Sequence, residues 1–372
     1  MAINLDNSVN YHYGKFPPSS LNYEKLIAPA MKATEALSRY DQMLKNLHNS
    51  QILLAPLRNQ EAVITSRMEG TISTLDEILQ YDAQFEESVN SPNVRNEVVE
   101  TILYQRSLSK MQQSIEENMP LTPFLLRQAH QMLLSFGRGV NKNPGKFKTE
   151  QNYLVDAFKK NVLFTPIAPE QLQQGLEGLF DYIDTDNTLP LIKTAIAHIE
   201  FEALHPFKDG NGRIGRMLVT LMLWSYGLIS SPHFYISHYF EENKALYIDI
   251  MRNVSKEDNW DEWCVFFLTA VEKQAIRNLA IAEEITSLYE EMKLQFSEVL
   301  SSKWSVQVQD FIFTNPVFKN SRMAKITGIS PQNSARFTKL LLENAIIDVI
   351  QPPSGRRGAL YSFEPLLKLV RV

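Results

Sequence analysis

Twelve residues, His205-Pro206-Phe207-Lys208-Asp209-Gly210-Asn211-Gly212-Arg213-Ile214-Gly215-Arg216, lie between two apolar helical patterns, Leu191 to Leu204 before them and Met217 to Gly227 after. This arrangement constrains the chain more than any other stretch. It reads as a loop that opens into a second helix at Gly210-Asn211-Gly212. The helix from Arg213 to Tyr226 is apolar nearly all round, so it belongs at the centre of a core. The first turn of such a helix leaves N–H groups unpaired, and small residues let neighbouring N–H groups point one way; together they make an anion site. Arg213 and Arg216 add fixed positive charge three residues apart. Asp209 is the ligand type for Mg2+, which bridges phosphate oxygens and one or two carboxylates. His205 can accept a proton near neutral pH. The combination points to nucleotide phosphates, a hard metal and a hydroxyl to be deprotonated.

The remaining 360 positions say what surrounds this loop. At 372 residues the chain has room for two or three domains, and with 14 glycines it should be mainly helical. A single cysteine, Cys264, excludes a disulfide framework within the chain and reads as a buried, inert thiol. Met1 to Ser20 lacks a basic-plus-apolar leader, and the longest apolar run, Met217 to Ile229, is too short to span a bilayer. The expectation is a soluble cytoplasmic protein with no membrane partner. Charge is divided unevenly. Residues 301–372 hold ten Lys and Arg against four Asp and Glu, a net of +6, and the other 300 residues hold 27 against 38, a net of −11. A basic tail on an acidic body suggests different partners for the two.

Taken in order, residues 1–22 read as an extended arm. A helical pattern runs from Tyr23 to about Leu54 with Pro29 in its first turn, a break near Asn49-Ser50, and a second segment limited by Pro56. Asn59 to Ile78 continues the helical pattern, with Gly70 as a stop and Ser73 or Thr74 as a new start. Glu69 at that stop is disfavoured by the helix dipole, which invites an explanation. Ser91-Pro92-Asn93 marks a break. Helices follow over Asn96 to Met111 and Leu121 to Phe136, where His130 reads as a packed or surface residue. Tyr153-Leu154-Val155 and Val162-Leu163-Phe164 read as a small hairpin. His198, Glu202 and His205 stand at steps of four and three, a spacing a metal face could use, but His205 lies beyond the helix end. Further helices are expected at Glu242 to Val254 and Asp258 to Leu288.

The stretch 205–216 resembles the Fic family signature, His-Pro-Phe-x-Asp/Glu-Gly-Asn-Gly-Arg-x-x-Arg, at every fixed position. Thr65-x-x-x-Glu69-Gly70 is similar to the inhibitory-helix pattern of that family, Ser/Thr-x-x-x-Glu-Gly/Asn, here placed ahead of the core. The resemblance implies a Fic-type helical bundle with a small β-hairpin flap, and a protein adenylyltransferase that moves AMP from ATP to a target hydroxyl. It implies His205 as the base, Asp209 as the Mg2+ ligand, and Gly210, Asn211, Gly212, Arg213 and Arg216 around the phosphates. It further implies that Glu69 pairs with Arg216 and blocks the place of the γ-phosphate. The flap at 152–165 would hold the target's Ser, Thr or Tyr segment by strand addition. Tyr247 and Asn253 fall where the family tends to place adenine or ribose contacts, with a core tyrosine and a polar cap as the equal alternative. Some members use the same glutamate to remove AMP, so the net direction stays open, as does transfer of another nucleotide.

The tail has its own pattern. Helices over Val306 to Phe313, Ser321 to Ile326 and Pro331 to Asn344, with a turn at Thr327-Gly328-Ile329-Ser330, precede strands at Ile346 to Ile350 and Ala359 to Phe363. That order resembles the winged helix-turn-helix family. Gln332, Asn333, Ser334, Arg336 and Lys339 on the third helix and Arg356-Arg357 between the strands could meet DNA, and the alternative class of function is a DNA-binding regulator with a Fic-type sensor core. The expected division is an N-terminal helical region with the inhibitory helix at 1–95, a catalytic core at 96–290 and a winged helix at 300–372, with a homodimer left open.

Overall fold

A computed structural model describes residues 5, 8–46, 50–84, 95–156, 161–355 and 357–371. Helix α1 (Tyr23–Lys45) starts where the Asn22 side chain accepts the Lys25 N–H, so Pro29 falls inside the helix and not in its first turn. Helix α2 (Gln51–Met68) runs unbroken through Pro56, against expectation. Leu54, Ala55 and Leu57 around that proline are buried, and their packing outweighs the missing backbone bond. A capping box starts α3 (Leu75–Gln84): the Thr74 N–H donates to Glu77 Oε2 at 2.8 Å and the Glu77 N–H to Thr74 Oγ1 at 3.2 Å. The expected break at Ser91-Pro92-Asn93 lies outside the described residues. Helix α4 (Asn96–Glu116) is followed by α5 (Pro123–Leu133), which the Thr122 side chain caps by accepting the Leu125 N–H.

The hairpin forms as expected, with β2 (Leu154–Val155) antiparallel to β3 (Val162–Thr165). Residues 157–160 between them lie outside the described residues. The arm adds what the sequence did not suggest. Its strand β1 (Val9–Asn10) pairs parallel with β3, Val9 opposite Phe164, giving the order β1-β3-β2. The arm is then fastened to the core: His12 bonds Glu200 and Ser255, each at 2.7 Å, and the Tyr11 hydroxyl donates to Glu200.

Helices α6 (Leu172–Thr185), α7 (Pro190–Leu204) and α8 (Asn211–Ser225) carry the centre. On α8, Ile214, Met217, Leu218, Val219, Leu221, Met222 and Leu223 are all fully buried, as an all-round apolar pattern requires. A short α9 (Ser237–Glu242), which sequence reading missed, leads into α10 (Lys244–Glu257) and the long α11 (Trp260–Leu300), which packs along α1. Cys264 is buried, and burial pushes its thiol up, in keeping with an inert residue.

The tail comprises α12 (Ser305–Thr314), β4 (Val317–Phe318), α13 (Asn320–Thr327), α14 (Pro331–Glu343), β5 (Asp348–Gln351), β6 (Leu360–Ser362) and α15 (Glu364–Val370). Strand β4 and helix α15 were not anticipated. The three strands form an antiparallel sheet in the order β4-β6-β5. Gly328 takes the left-handed conformation that ends α13, and Ser330 caps α14. The tail is tied to the N-terminal helices by Gln60 Nε2 to the Val370 carbonyl at 2.8 Å, Arg322 to Asp82 at 2.7 Å and Arg371 to Asp76 at 3.1 Å. Among the described residues no helix is long and apolar enough to cross a membrane.

Candidate active site

The loop between α7 and α8 is set by a backbone that sequence rules do not favour. His205 caps α7 at φ 46°, ψ 60°, a left-handed conformation that costs a non-glycine residue about 1 kcal/mol. The surroundings hold it there. Asn152 Nδ2 donates to the carbonyls of His205 and Phe207 at 3.1 and 3.0 Å. Lys148 Nζ donates to the Leu204 carbonyl at 3.0 Å and to Asn152 Oδ1 at 2.9 Å, and the Lys148 N–H donates to the Pro206 carbonyl. On the other side the Asn211 amide both accepts from the Phe207 N–H and donates to the Phe207 carbonyl, each at 2.8 Å. The Asn211 side chain is therefore spent on the loop, and only its backbone is left for a phosphate.

His130 completes the frame. Its ring stacks on Phe207 with centroids 3.8 Å apart. The Gly145 N–H donates to its Nδ1, so its Nε2–H must donate to the Asp209 carbonyl, at 2.9 Å. Burial pulls this imidazole down to about 4, which suits the neutral form that both bonds need. It is packed, as its sequence context suggests, and it also holds the signature loop. Lys148 and Asn152 were not anticipated as site residues; no local pattern distinguishes them from surface polar residues.

His205 itself is half-buried. Its Nδ1 lies 3.3 Å from the Glu202 carbonyl, which can only accept, so Nδ1 carries the proton and Nε2 keeps its lone pair. Burial, then the nearby Lys148 charge, pull its ring down to about 4, so it is unprotonated at neutral pH. Glu202 is pushed the other way, up to about 8, by burial and by Glu69, against the pull of Arg216.

Helix α8 starts at Gly210, whose φ of 78° turns the chain into the helix. The N–H groups of Asn211, Gly212 and Arg213 open that helix and meet no intrahelical carbonyl. Arg213 is 1% exposed, and its Nε and Nη1 are buried without a hydrogen-bond partner. Its Nη2 lies 3.5 Å from Asp209 Oδ1. An anion entering here would find unspent donors in a dry setting.

Arg216 is already engaged. Its Nε donates to Thr65 Oγ1 at 2.7 Å, and its Nη2 donates to the Thr65 carbonyl at 3.1 Å and to Glu69 Oε1 at 2.8 Å. The structure thus brings Thr65, Glu69 and Arg216 together across 147 positions of sequence between the last two. Burial raises the Glu69 carboxyl, but Arg216 and Arg213 outweigh it and hold it below its ordinary range. Gly70, at φ 78°, ends α2 just beyond. Cations also hold that helix end: Lys244 Nζ donates to the Met68 carbonyl, Arg138 to the Glu69 carbonyl and the Thr71 hydroxyl, and Arg67 pairs with both Glu241 oxygens. The acid at a helix C-terminus is explained by these partners.

An apolar cavity of about 200 Å3 opens between the hairpin and α10, lined by Val155, Leu163, Phe164, Ile248 and Met251, with Glu202 and Arg252 as its charged members. Tyr247 is core: it is 4% exposed, and its hydroxyl meets His198 Nε2 at 3.0 Å. Neither it nor Asn253 lines this cavity. His198, locked between Tyr247 and the Gly215 carbonyl, is not turned toward His205 as a metal face would need. Among the described residues no group of three or more His, Cys, Asp or Glu could hold a metal. Asp209, 31% exposed beside the opening of α8, is the carboxylate that would hold a Mg2+ there, were one bound.

Residues 120–223, which include the signature, match the Fic/DOC family, and residues 27–112 match the Fic/DOC family N-terminal region. The protein adenylyltransferase fic-1 of Caenorhabditis elegans is 35% identical over 86 residues, which is 22% of this chain and 16% of that protein. A probable protein adenylyltransferase of Aquifex aeolicus is 34% identical over 94 residues, 25% of this chain and 27% of that protein. The alignments thus span well under half of either relative. A Fic family protein from Desulfovibrio desulfuricans superimposes with a TM-score of 0.58 at 18% identity, covering 93% of this chain and 98% of that one. Residues 134–508 of Fic-1 from C. elegans give 0.55 at 20% identity, covering 72% of this chain and 75% of that one. These structures share the fold, and the signature loop sits where both matched regions meet in space: this chain carries a Fic/DOC family domain preceded by the N-terminal region of that family.

Proposed function

We propose that this protein transfers AMP from ATP to a hydroxyl side chain of a target protein, and that Glu69 restrains the reaction. The observation that carries the reading is the pair of buried arginines at the opening of α8, with Arg213 holding unspent donors and Arg216 held by Glu69. The open N–H groups at Asn211, Gly212 and Arg213 receive the phosphates, and the apolar cavity beside Met251 takes the base. When bound, Mg2+ on Asp209 supplies charge neutralisation across the phosphates. His205 Nε2 takes the proton from the target hydroxyl as its oxygen attacks the α-phosphorus, and pyrophosphate departs with the broken P–O bond. Catalysis here is positioning and charge stabilisation, which is why so much of the loop is braced. While Glu69 holds Arg216, the γ-phosphate lacks its counter-charge.

Labelling of cell lysate with α-labelled ATP tests this, using wild type, Glu69→Gly and His205→Ala in parallel. Expected are weak labelling by wild type, strong labelling by Glu69→Gly and none by His205→Ala. Labelling by His205→Ala at the level of Glu69→Gly would overturn the assignment. Loss of AMP from a pre-labelled target on adding wild type would instead make removal the net direction.

A second activity is supported by the tail. Gln332, Asn333, Arg336 and Lys339 stand exposed on α14 after a short turn from α13, and Arg357 is exposed between β5 and β6. Ser334 is buried, bonding the Asn320 carbonyl, so it drops out of the expected face. Arg356 lies outside the described residues. A helix presenting polar and basic residues at its N-terminal half, beside a basic strand connection, is suited to the major groove of duplex DNA.

A further inference from the structure

Beside the hairpin lies a second cavity, of about 340 Å3, unlike the apolar one. Lys142, Lys146, Lys148 and Lys208 line it, and Glu150 is the one carboxylate among its described lining residues. Lys146 and Lys208 are exposed and Lys142 is half-buried, and among the described residues none of the three has an ion-pair partner. This concentration of ammonium groups stands on a body whose first 300 residues carry a net charge of −11. Lys148 forms the cavity's inner end. It is 7% exposed, and burial pulls its ammonium down to about 7, so an anion in the cavity would hold it charged.

The position of the cavity matters as much as its charge. Strand β2 is the outer strand of the order β1-β3-β2, so its far edge carries unpaired backbone groups. Val155 on that strand lines both the basic cavity and the apolar one, and Tyr153 just before it lines the basic cavity. Lys208 adjoins Asp209 in the signature loop. An extended segment added to the edge of β2 would bring one residue to His205 and its neighbours to the lysines. The nucleotide phosphates have their own arginines at α8, so they do not account for this second set of cations.

We infer that the basic cavity is a subsite for an acidic side chain of the target segment, so that the hydroxyl chosen for modification has Asp or Glu within a few residues of it. The ammonium groups of Lys142, Lys146 and Lys208 beside an open strand edge suit a carboxylate on an extended peptide. The inference rests on the AMP-transfer reading for the identity of the segment, but peptide binding can be measured without transfer.

Fluorescence anisotropy with two labelled peptides provides the test. Each contains one threonine; in one it is flanked by aspartates and in the other by asparagines. The acidic peptide should bind the full-length wild-type chain about tenfold more tightly, and the Lys142→Gln/Lys146→Gln variant, with an unchanged melting temperature, should lose the difference. Equal affinity for the two peptides, binding of neither, or a preference that survives in the double variant would each overturn the subsite. With Glu69→Gly protein and α-labelled ATP, the same peptides separate the two ideas. An intact binding preference with no transfer to either peptide would defeat the AMP-transfer reading and leave the subsite standing.

Discussion

Gly212 and the carboxylate of Glu69 are in such close contact that a methyl group on Gly212 would run into Glu69 Oε1 and lie 2.8 Å from Arg216 Nη1. The glycine that would let a phosphate approach the backbone is therefore the same one that admits the restraining acid. On the proposed reading, Glu69 uses the opening that the nucleotide would use, and both answer the same buried arginine. Removing Glu69 leaves Arg216 with only its two bonds to Thr65. Because the Glu69 side chain is 29% exposed, the loss should fall below the range for a fully buried pair, at about 1–3 kcal/mol. Glu69→Gly should therefore melt at a lower temperature than wild type when free of nucleotide, and should gain more from ATP. In wild type the ligand has first to displace the acid, whereas in the variant it fills an empty place; at about 100 times its Kd a ligand stabilises by about 2.7 kcal/mol. Scanning fluorimetry with and without ATP reads this directly, and equal ATP shifts in the two proteins would remove the competition.

The left-handed His205 turn gives a second prediction. Asn152 Nδ2 binds two carbonyls around that turn, and its Oδ1 takes the Lys148 ammonium. Asn152→Ala removes all three bonds without touching α8 or the arginines. Turnover should fall by about 10–100-fold, because a displaced base costs rate steeply, while KM for ATP changes little. Matching losses in kcat and in ATP affinity would mean that Asn152 supports the whole pocket and not the turn.

Much of this was legible in the sequence, for reasons that can be named. The loop of α8 could be read because its residue types sit together and its flanking helices are apolar on every side. Thr65, Glu69 and Gly70 could be read because one helix end holds the pattern. Pro56 misled because a local rule met buried Leu54 and Leu57, which only the fold brings into play. Asn152, Lys148 and His130 were missed as supports because each acts through a backbone carbonyl or amide, and a bond to the backbone leaves no mark on the partner's identity. The arm strand Val9–Asn10 was missed because two residues of strand have no periodicity to find.

Stability should depend on pH with a definite sign. Burial lowers His130, His205 and His233 to about 4 and His198 to about 3, and raises Glu61 to about 7 and Glu202 to about 8. Between about pH 4.5 and 6.5 the unfolded chain holds protons on four histidines that the folded chain does not, and the folded chain holds protons on two carboxyls that the unfolded chain does not. The unfolded state is then richer by about two protons, so stability rises with pH across this window, by at most about 2.7 kcal/mol per unit. Above it the histidine contribution is complete, and the two carboxyls act in the opposite sense up to about 7 and 8. Urea midpoints should increase from pH 5 to 6.5 and then decrease as the pH approaches 7, where Glu61 ionises in the folded state. A midpoint that decreases over that first interval would show that the carboxyls dominate.

The tail yields the last prediction. Of its ten basic residues, Arg322 and Arg371 are occupied by Asp82 and Asp76 of the acidic body, so docking spends positive charge on that side. Arg336 and Gln332 are exposed on α14. If this face meets DNA, the full-length chain should retard duplex DNA at low salt, and retardation should weaken steeply as salt increases, because each phosphate contact releases condensed counterions. Arg336→Glu with Lys339→Glu replaces two exposed charges, which leaves the buried Phe337 and Leu341 packing intact, and should abolish retardation while the melting temperature holds. Reversing Arg371 instead should loosen the tail from α3 and lower the melting temperature, with the exposed residues of α14 unaltered. Full retardation by the Arg336→Glu/Lys339→Glu protein would move any DNA contact off α14, and absence of retardation by wild type at low salt would leave the tail as a brace for α2 and α3.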